Sequence, residues 1–148
     1  MTKARKVRFD TIVRAEPEKV FDAIATAEGL DAWFTSGTTL EARAGGALVF
    51  RWVDWGVEKF TGEMVGEVVE ADRPEKFVFR WPVDSGGYLT TVTITIEASE
   101  EGSIVRLVEG DYEEGEVGNQ DMLNRASGWG QALTLMKFWV EHGVKASA

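Results

Sequence analysis

The sequence predicts an α+β fold in which a curved antiparallel sheet wraps around one long C-terminal helix. Two observations carry this. The run from Ser36 to Tyr112 reads as successive strands joined by short turns, and the residues from Met122 to Val140 keep a helical apolar period. Strands joined by tight turns pair antiparallel, because a parallel neighbour needs a crossover of roughly a dozen residues or more. A half-apolar sheet and a half-apolar helix then bury their faces against each other.

Taken in order, Val7, Phe9, Thr11 and Val13 alternate with Arg8, Asp10 and Arg14, the period of a half-buried strand. Pro17 is tolerated in a first helical turn, Glu16 and Glu18 suit a helix N-terminus, and Val20, Phe21 and Ile24 make the buried stripe of a short helix. Gly29 breaks it, and Leu30, Trp33 and Phe34 predict a second short helical turn. Gly45-Gly46 separates a strand near Thr38 to Ala42 from one carrying Leu48, Phe50 and Trp52, with the next turn at Asp54-Trp55-Gly56. The strand from Val57 to Glu70 has a mixed pattern that leaves its buried face open, and Gly62 and Gly66 predict bends or a bulge. After Ala71-Asp72-Arg73-Pro74, Phe77, Phe79 and Trp81 alternate with Val78 and Arg80 up to Pro82. Asp84-Ser85-Gly86-Gly87 supplies a turn, and Val92, Ile94 and Ile96 alternate with Thr91, Thr93 and Thr95. Glu101-Gly102 leads into the last strand, Ser103 to about Tyr112. In the tail, Met122, Ala126, Trp129, Leu133, Met136 and Val140 form one helical face, which Leu123, Gly130 and Phe138 widen. Asn119 is the expected N-cap and Gly143 the expected C-cap.

The 148 residues predict a single domain spanning 1–148, with no repeat or linker. A chain of this size buries roughly two-thirds of its surface on folding and needs no covalent staples. Cysteine is absent, which excludes disulfides, thiol catalysis and cysteine-ligated metals, and fits a reducing, cytoplasmic location. The net charge of -9 disfavours nucleic acid and anionic membrane surfaces. No apolar run reaches the roughly 18 residues of a spanning helix, and the basic start, Met1 to Lys6, lacks the apolar core of a signal peptide. No cofactor is expected.

Six tryptophans and eight phenylalanines are the compositional excess. They build a core of large side chains or line a cavity for an apolar ligand. Glu109 shares strand parity with Val105 and Leu107, so it faces either the interior or a solvated strand end. If buried, it is a candidate acid, base or ligand anchor. The acidic run Glu109, Asp111, Glu113, Glu114, Glu116 and Asp121 lacks the alternation of a calcium loop and reads as solvated, so no metal site is expected. The single histidine, His142, suits a helix C-terminus, and the serines have no nucleophile-elbow context. Arg51, Arg80 and Arg125 are candidates to meet an anionic ligand group, although the first two alternate with apolar strand positions and read as solvent-facing.

The segment Ala15-Glu16-Pro17-Glu18-Lys19-Val20-Phe21-Asp22-Ala23-Ile24 resembles the opening of START-type, helix-grip proteins of the SRPBCC superfamily. Ala32-Trp33-Phe34, Gly45-Gly46 before a strand, Phe77-Val78-Phe79-Arg80-Trp81, and Gly128-Trp129 followed by Leu133 resemble the AHSA-type family of heat-shock-protein-90 ATPase activator homologues. The resemblance implies a seven-stranded antiparallel sheet, two short helices after the first strand, and a long C-terminal helix over a hydrophobic cavity. It does not imply a reaction. The co-chaperones that name the family carry an additional N-terminal domain, for which this length leaves no room, so direct chaperone activation is not expected.

The leading expectation is a non-catalytic binder of a small hydrophobic or aromatic molecule, as monomer or homodimer. Its wall candidates are Trp33, Trp52, Phe60, Phe79, Trp81, Trp129 and Leu133, with Glu109 as a polar anchor. One alternative is a cyclase- or hydrolase-like enzyme on a polyketide-like substrate, with Glu109 or a tyrosine in acid–base work. Another is a stress-response module that meets a chaperone or other protein partner through its acidic surface.

Overall fold

The first and last strands of the chain lie side by side. In the computed structural model, which describes residues 5–146, the elements run β1 (Val7–Val13), α1 (Pro17–Ile24), α2 (Ala27–Trp33), β2 (Thr39–Leu40), β3 (Ala47–Trp55), β4 (Phe60–Asp72), β5 (Lys76–Pro82), β6 (Leu89–Ser99), β7 (Gly102–Gly110) and α3 (Glu116–His142). The seven strands form one antiparallel sheet in the order β1-β7-β6-β5-β4-β3-β2. Met1 to Ala4, most of the basic start, lie outside the described residues. No described helix is long and apolar enough to cross a membrane.

The short helices follow from local chemistry. Pro17 opens α1, and Val20, Phe21 and Ile24 are buried, with the Phe21 ring set edge-on to Phe77 of β5 at 6.5 Å. Thr26 caps α2 by accepting from the Gly29 N–H at 2.9 Å. Gly29 is needed there because a Cβ would lie 2.1 Å from the Asp22 carbonyl oxygen, where the two helices meet. Asp22 also accepts from the Arg73 guanidinium at 2.9 and 3.0 Å, which ties α1 to the β4–β5 turn. That hydrogen bond holds the Asp22 carboxyl below the ordinary carboxylate range, against a smaller opposing effect of burial. Stability from a depressed carboxyl is present above its unfolded pKa and is lost as pH falls through the folded one. Asp22→Asn is therefore expected to lower the melting temperature slightly at pH 7, with the difference closing as the pH drops below about 4. A constant difference down to pH 2 would refute the link.

Two strands differ from their sequence pattern. β3 runs on to Trp55, so the reversal is not at Asp54-Trp55-Gly56 but further along, with Gly56 and Lys59 both at positive φ. The pairing of β3 with β4 slips between Trp52 and Trp55. In a regular strand these two residues would point to opposite faces, but the irregularity brings both rings to the same grooves. β4 turns its even positions inward: Val68 is buried and Gly62, Met64 and Gly66 are half-buried, while Val65 and Val69 are exposed. Two glycines among the inward positions hid that alternation. Gly66 is required because a Cβ would come within 2.3 Å of the Arg80 carbonyl oxygen on β5.

α3 begins at Glu116, capped by Gly115, so Asn119 is not the N-cap. It sits inside the first turn, where its backbone N–H donates to the Gly115 carbonyl and its side chain accepts from Arg5. The buried face is Asp121, Arg125, Trp129, Leu133, Met136 and Val140. The apolar stripe is therefore displaced by one residue at its start: Met122 is only half-buried, and Ala126 and Leu123 face solvent, as does much of Phe138. Asp121 and Arg125 hold the inward positions because both have polar partners below. The helix stops at Gly143, whose left-handed conformation (φ 69°) lets its N–H return to the Trp139 carbonyl at 2.8 Å. His142 is exposed in the last turn, 3.7 Å from the Glu141 carboxylate.

An aromatic groove over a buried carboxylate

At one end of the sheet, where the first half of α3 leaves β5 and the β3–β4 tip, the molecule opens into a groove of about 480 Å³. Trp52, Trp55, Phe60 and Met64 come from the β3–β4 pair, and Phe34 from the end of α2. Trp81 and Asp84 lie on the β5 side, with Arg125, Gly128 and Trp129 on α3. A second groove of about 650 Å³ runs along the other side of Phe34, Trp52 and Trp55, toward Lys59, Phe138 and Lys145. The rings are in mutual contact: Phe34 lies 5.4 Å from Trp52, 5.5 Å from Trp55 and 5.9 Å from Trp129, and Trp129 lies 5.5 Å from Trp81.

Beneath this wall sits Glu109. β7 turns Ser103, Val105, Leu107 and Glu109 inward, and the Glu109 side chain is 0% exposed. One carboxylate oxygen accepts from the Trp81 indole at 2.7 Å, from the Thr90 hydroxyl at 2.6 Å and from Arg125. The other accepts from the Trp129 indole at 2.7 Å. Four donors meeting one acceptor-only group satisfy the usual requirement for a buried charge. Arg125, also buried, stacks over Trp81 at 4.3 Å and donates further to the Pro82 carbonyl at 2.7 Å and to Asp84 at 3.3 Å. Tyr112 is buried close by. Burial first, and then the negative charge of Glu109, push its phenol well above the ordinary tyrosine range. Asp121 accepts from the Ser85 N–H at 3.1 Å and its hydroxyl at 2.6 Å, which pins the β5–β6 turn to α3.

The sequence-derived candidates thus fall into three places. Trp52, Phe60, Trp81 and Trp129 line the groove. Glu109 lies under it, with no exposed surface. Trp33, Phe79 and Leu133 lie in the centre of the molecule, around a gap of only about 10 Å³. Between the centre of α3 and the sheet, where the cavity was expected, only that small gap is left, and Trp33, Phe50, Phe77, Phe79, Leu133 and Met136 are all essentially inaccessible. The open space lies beyond them, at the sheet's end. Arg51 and Arg80 are half-exposed and pair with Glu63 and Glu67, away from the groove.

Thr90 stands outside the candidate set. It shares parity with Val92, Ile94 and Ile96, a signal that its three outward threonine neighbours obscured. Arg125, a candidate to meet a ligand anion, has its own counter-ion in Glu109. Its spacing of four from both Asp121 and Trp129 placed it on their helical face. In the acidic run, Asp121 is buried while Glu113, Glu114 and Glu116 are exposed. No group of three or more acidic or histidine side chains is placed to hold a metal ion among the described residues.

A bent seven-stranded antiparallel sheet, two short helices after its first strand and a long C-terminal helix packed into it define the helix-grip fold of the START/SRPBCC proteins. Within that class, residues 14–141 match the model of the family described as activator of Hsp90 ATPase homolog 1-like protein, and the chain belongs to that family. No curated protein matches the sequence. Among solved structures, protein MLL2253 from Mesorhizobium loti is 16% identical with a TM-score of 0.79, covering 93% of this chain and 97% of that one. The Aha1 dimer from Colwellia psychrerythraea is 20% identical with a TM-score of 0.76, over 93% and 97%. DynU16, a protein of the dynemicin biosynthetic locus, is 17% identical with a TM-score of 0.81, over 99% of this chain and 51% of its own. At these identities the likeness is one of fold.

Proposed function

We propose that the protein binds a small apolar or aromatic molecule in the groove bounded by Trp52, Trp55, Phe60, Trp81 and Trp129, without a catalytic step. The observation that carries this reading is the way Glu109 holds two of the wall indoles, Trp81 and Trp129, from beneath at 2.7 Å each. Rings fixed before a ligand arrives lose little freedom on binding, so more of the apolar contact appears as affinity. The same arrangement favours a positioning role for Glu109 over acid–base chemistry. A general base must come within about 2.6–3.2 Å of the proton it takes, and Glu109 has both oxygens engaged and no exposed atom.

Native mass spectrometry of gently purified protein, with identification of any released molecule, tests the reading directly. Quenching of tryptophan emission by aromatic probes gives the affinity. Binding is expected to vary little with salt, since the contacts are apolar. Binding that collapses with rising ionic strength would instead favour a partner held by the acidic surface.

A further inference from the structure

The second groove takes no part in the reading above. Val53, Phe138 and Val144 line it and are 62%, 49% and 54% exposed, so three large apolar side chains meet water around one depression. Apolar surface gathered around a concavity, rather than scattered singly, marks a binding site. The charged residues of the lining are Asp54, Lys59 and Lys145, two cations against one carboxylate, in a chain whose net charge is -9. Neither lysine forms an ion pair among the described residues, with Asp54 or with any other carboxylate. The backbone holds both in place. Lys59 sits at positive φ (55°), its N–H donating to the Gly56 carbonyl at 3.3 Å. Lys145 lies between Val144, whose N–H returns to the Phe138 carbonyl at 3.3 Å, and Ala146, whose N–H donates to the Ala32 carbonyl at 3.1 Å.

We propose that this second groove binds a monoanionic amphiphile, with its apolar body against Val53, Trp55, Phe138 and Val144 and its carboxylate met by the ammonium groups of Lys59 and Lys145. The site lies beside the first groove and stands or falls separately from it. The single excess positive charge of the lining is balanced by a single negative charge on the ligand. Lysine suits the task, because its ammonium is a compact charge on a flexible stem and two of them can converge on one head group. A charge at one end and apolar contact along the rest fix the direction in which the ligand lies. The first groove has no such excess of cations: Glu58 lines it, and its one cation, Arg125, is shared by Glu109 and Asp84.

2-Naphthoate and decanoate carry one head group on a flat and on a flexible body, and 2-naphthamide and decanamide are their neutral counterparts of nearly the same shape. Gly128 lines the first groove and not the second, and a Cβ there meets nothing within 4 Å, so Gly128→Leu fills the first groove alone. Titrated calorimetrically into that variant, at least one acid is expected to bind about fivefold more tightly than its amide, the worth of two exposed ion pairs. The acid that does so identifies the body as aromatic or aliphatic. The preference is expected to vanish when Lys59→Gln and Lys145→Gln are added. In wild-type protein, the Val53 and Val144 methyl resonances are expected to move with the acid, while the methyl of Met64, which lines only the first groove, stays in place. Equal affinities of each acid and its amide, a preference that survives the loss of both lysines, or a shift of Met64 with Val53 and Val144 unmoved would overturn the proposal. Failure of both acids to bind would overturn it as well, and a dimer that Phe138→Asp dissociates would then assign this face to a second copy of the chain. Neutral aromatic probes titrated into wild type judge the first groove independently, so the two readings can fail one without the other.

Discussion

Glu109→Ala is expected to destabilise the protein by about 3–5 kcal/mol, the range for removing one partner of a buried ion pair. The substitution leaves the Arg125 guanidinium, 8% exposed, facing a space that held its counter-charge. It also orphans the Trp81, Trp129 and Thr90 donors. Domains of this kind have a total stability of about 5–15 kcal/mol, so the variant should be near its limit, with a melting temperature lower by about 10 °C or more. Urea unfolding with an unchanged slope is the measurement. Replacing both charges, Glu109→Leu with Arg125→Leu, should recover part of the loss, because no charge then remains buried. The recovery is incomplete, since two indole N–H groups stay unpaired. A Glu109→Ala protein within about 0.5 kcal/mol of wild type would mean that the carboxylate does not hold this end of the molecule together.

The second large effect lies in the centre. Phe79→Ala is expected to cost about 3–5 kcal/mol, from lost transfer energy and the cavity left behind. The Phe79 ring is 2% exposed and contacts Phe50, Phe77 and Trp81 at 5.3–5.4 Å. The new void joins the small gap lined by Ile94, Trp129 and Leu133. An apolar void of that kind stays dry and accepts benzene. Saturating benzene should therefore raise the melting temperature of the variant and leave wild type unchanged, following mass action. If benzene has no effect on the variant, α3 has closed onto the sheet, and the packing at the centre is softer than its burial implies.

These two residues also show where the sequence was readable. Phe79 belongs to a run whose alternation with Val78 and Arg80 announces both strand and inward face. The period of β6 and the stop at Gly143 were equally plain, because each depends on neighbouring residues alone. The parity of Glu109 was legible too. Its partners were not, since Trp81, Thr90, Arg125 and Trp129 lie 28, 19, 16 and 20 positions away and meet only in the folded sheet. The offset in α3 has the same origin: Asp121 and Arg125 break an apolar stripe for the sake of partners on other elements. The slip in β3 that re-aims Trp55 is a property of strand pairing, and no local composition encodes it. Whether the space between helix and sheet is filled or hollow depends on summed volumes. A family resemblance supplies the envelope but not that sum.

The pairing of Val7 with Glu109 has a consequence for how the protein is made. A ribosome delivers β1 about a hundred residues before the strand it will lie beside, and contacts so distant in sequence form slowly. Completing the sheet is still not enough, because Glu109 stays hydrated until Arg125 and Trp129 have emerged as well. A nascent chain halted between β7 and the middle of α3 holds all seven strands of the sheet and lacks the cation that allows them to close. Such a chain presents bare apolar strands to the cell, so the interval of greatest exposure to aggregation and to chaperones runs from the completion of β7 to the emergence of the middle of α3.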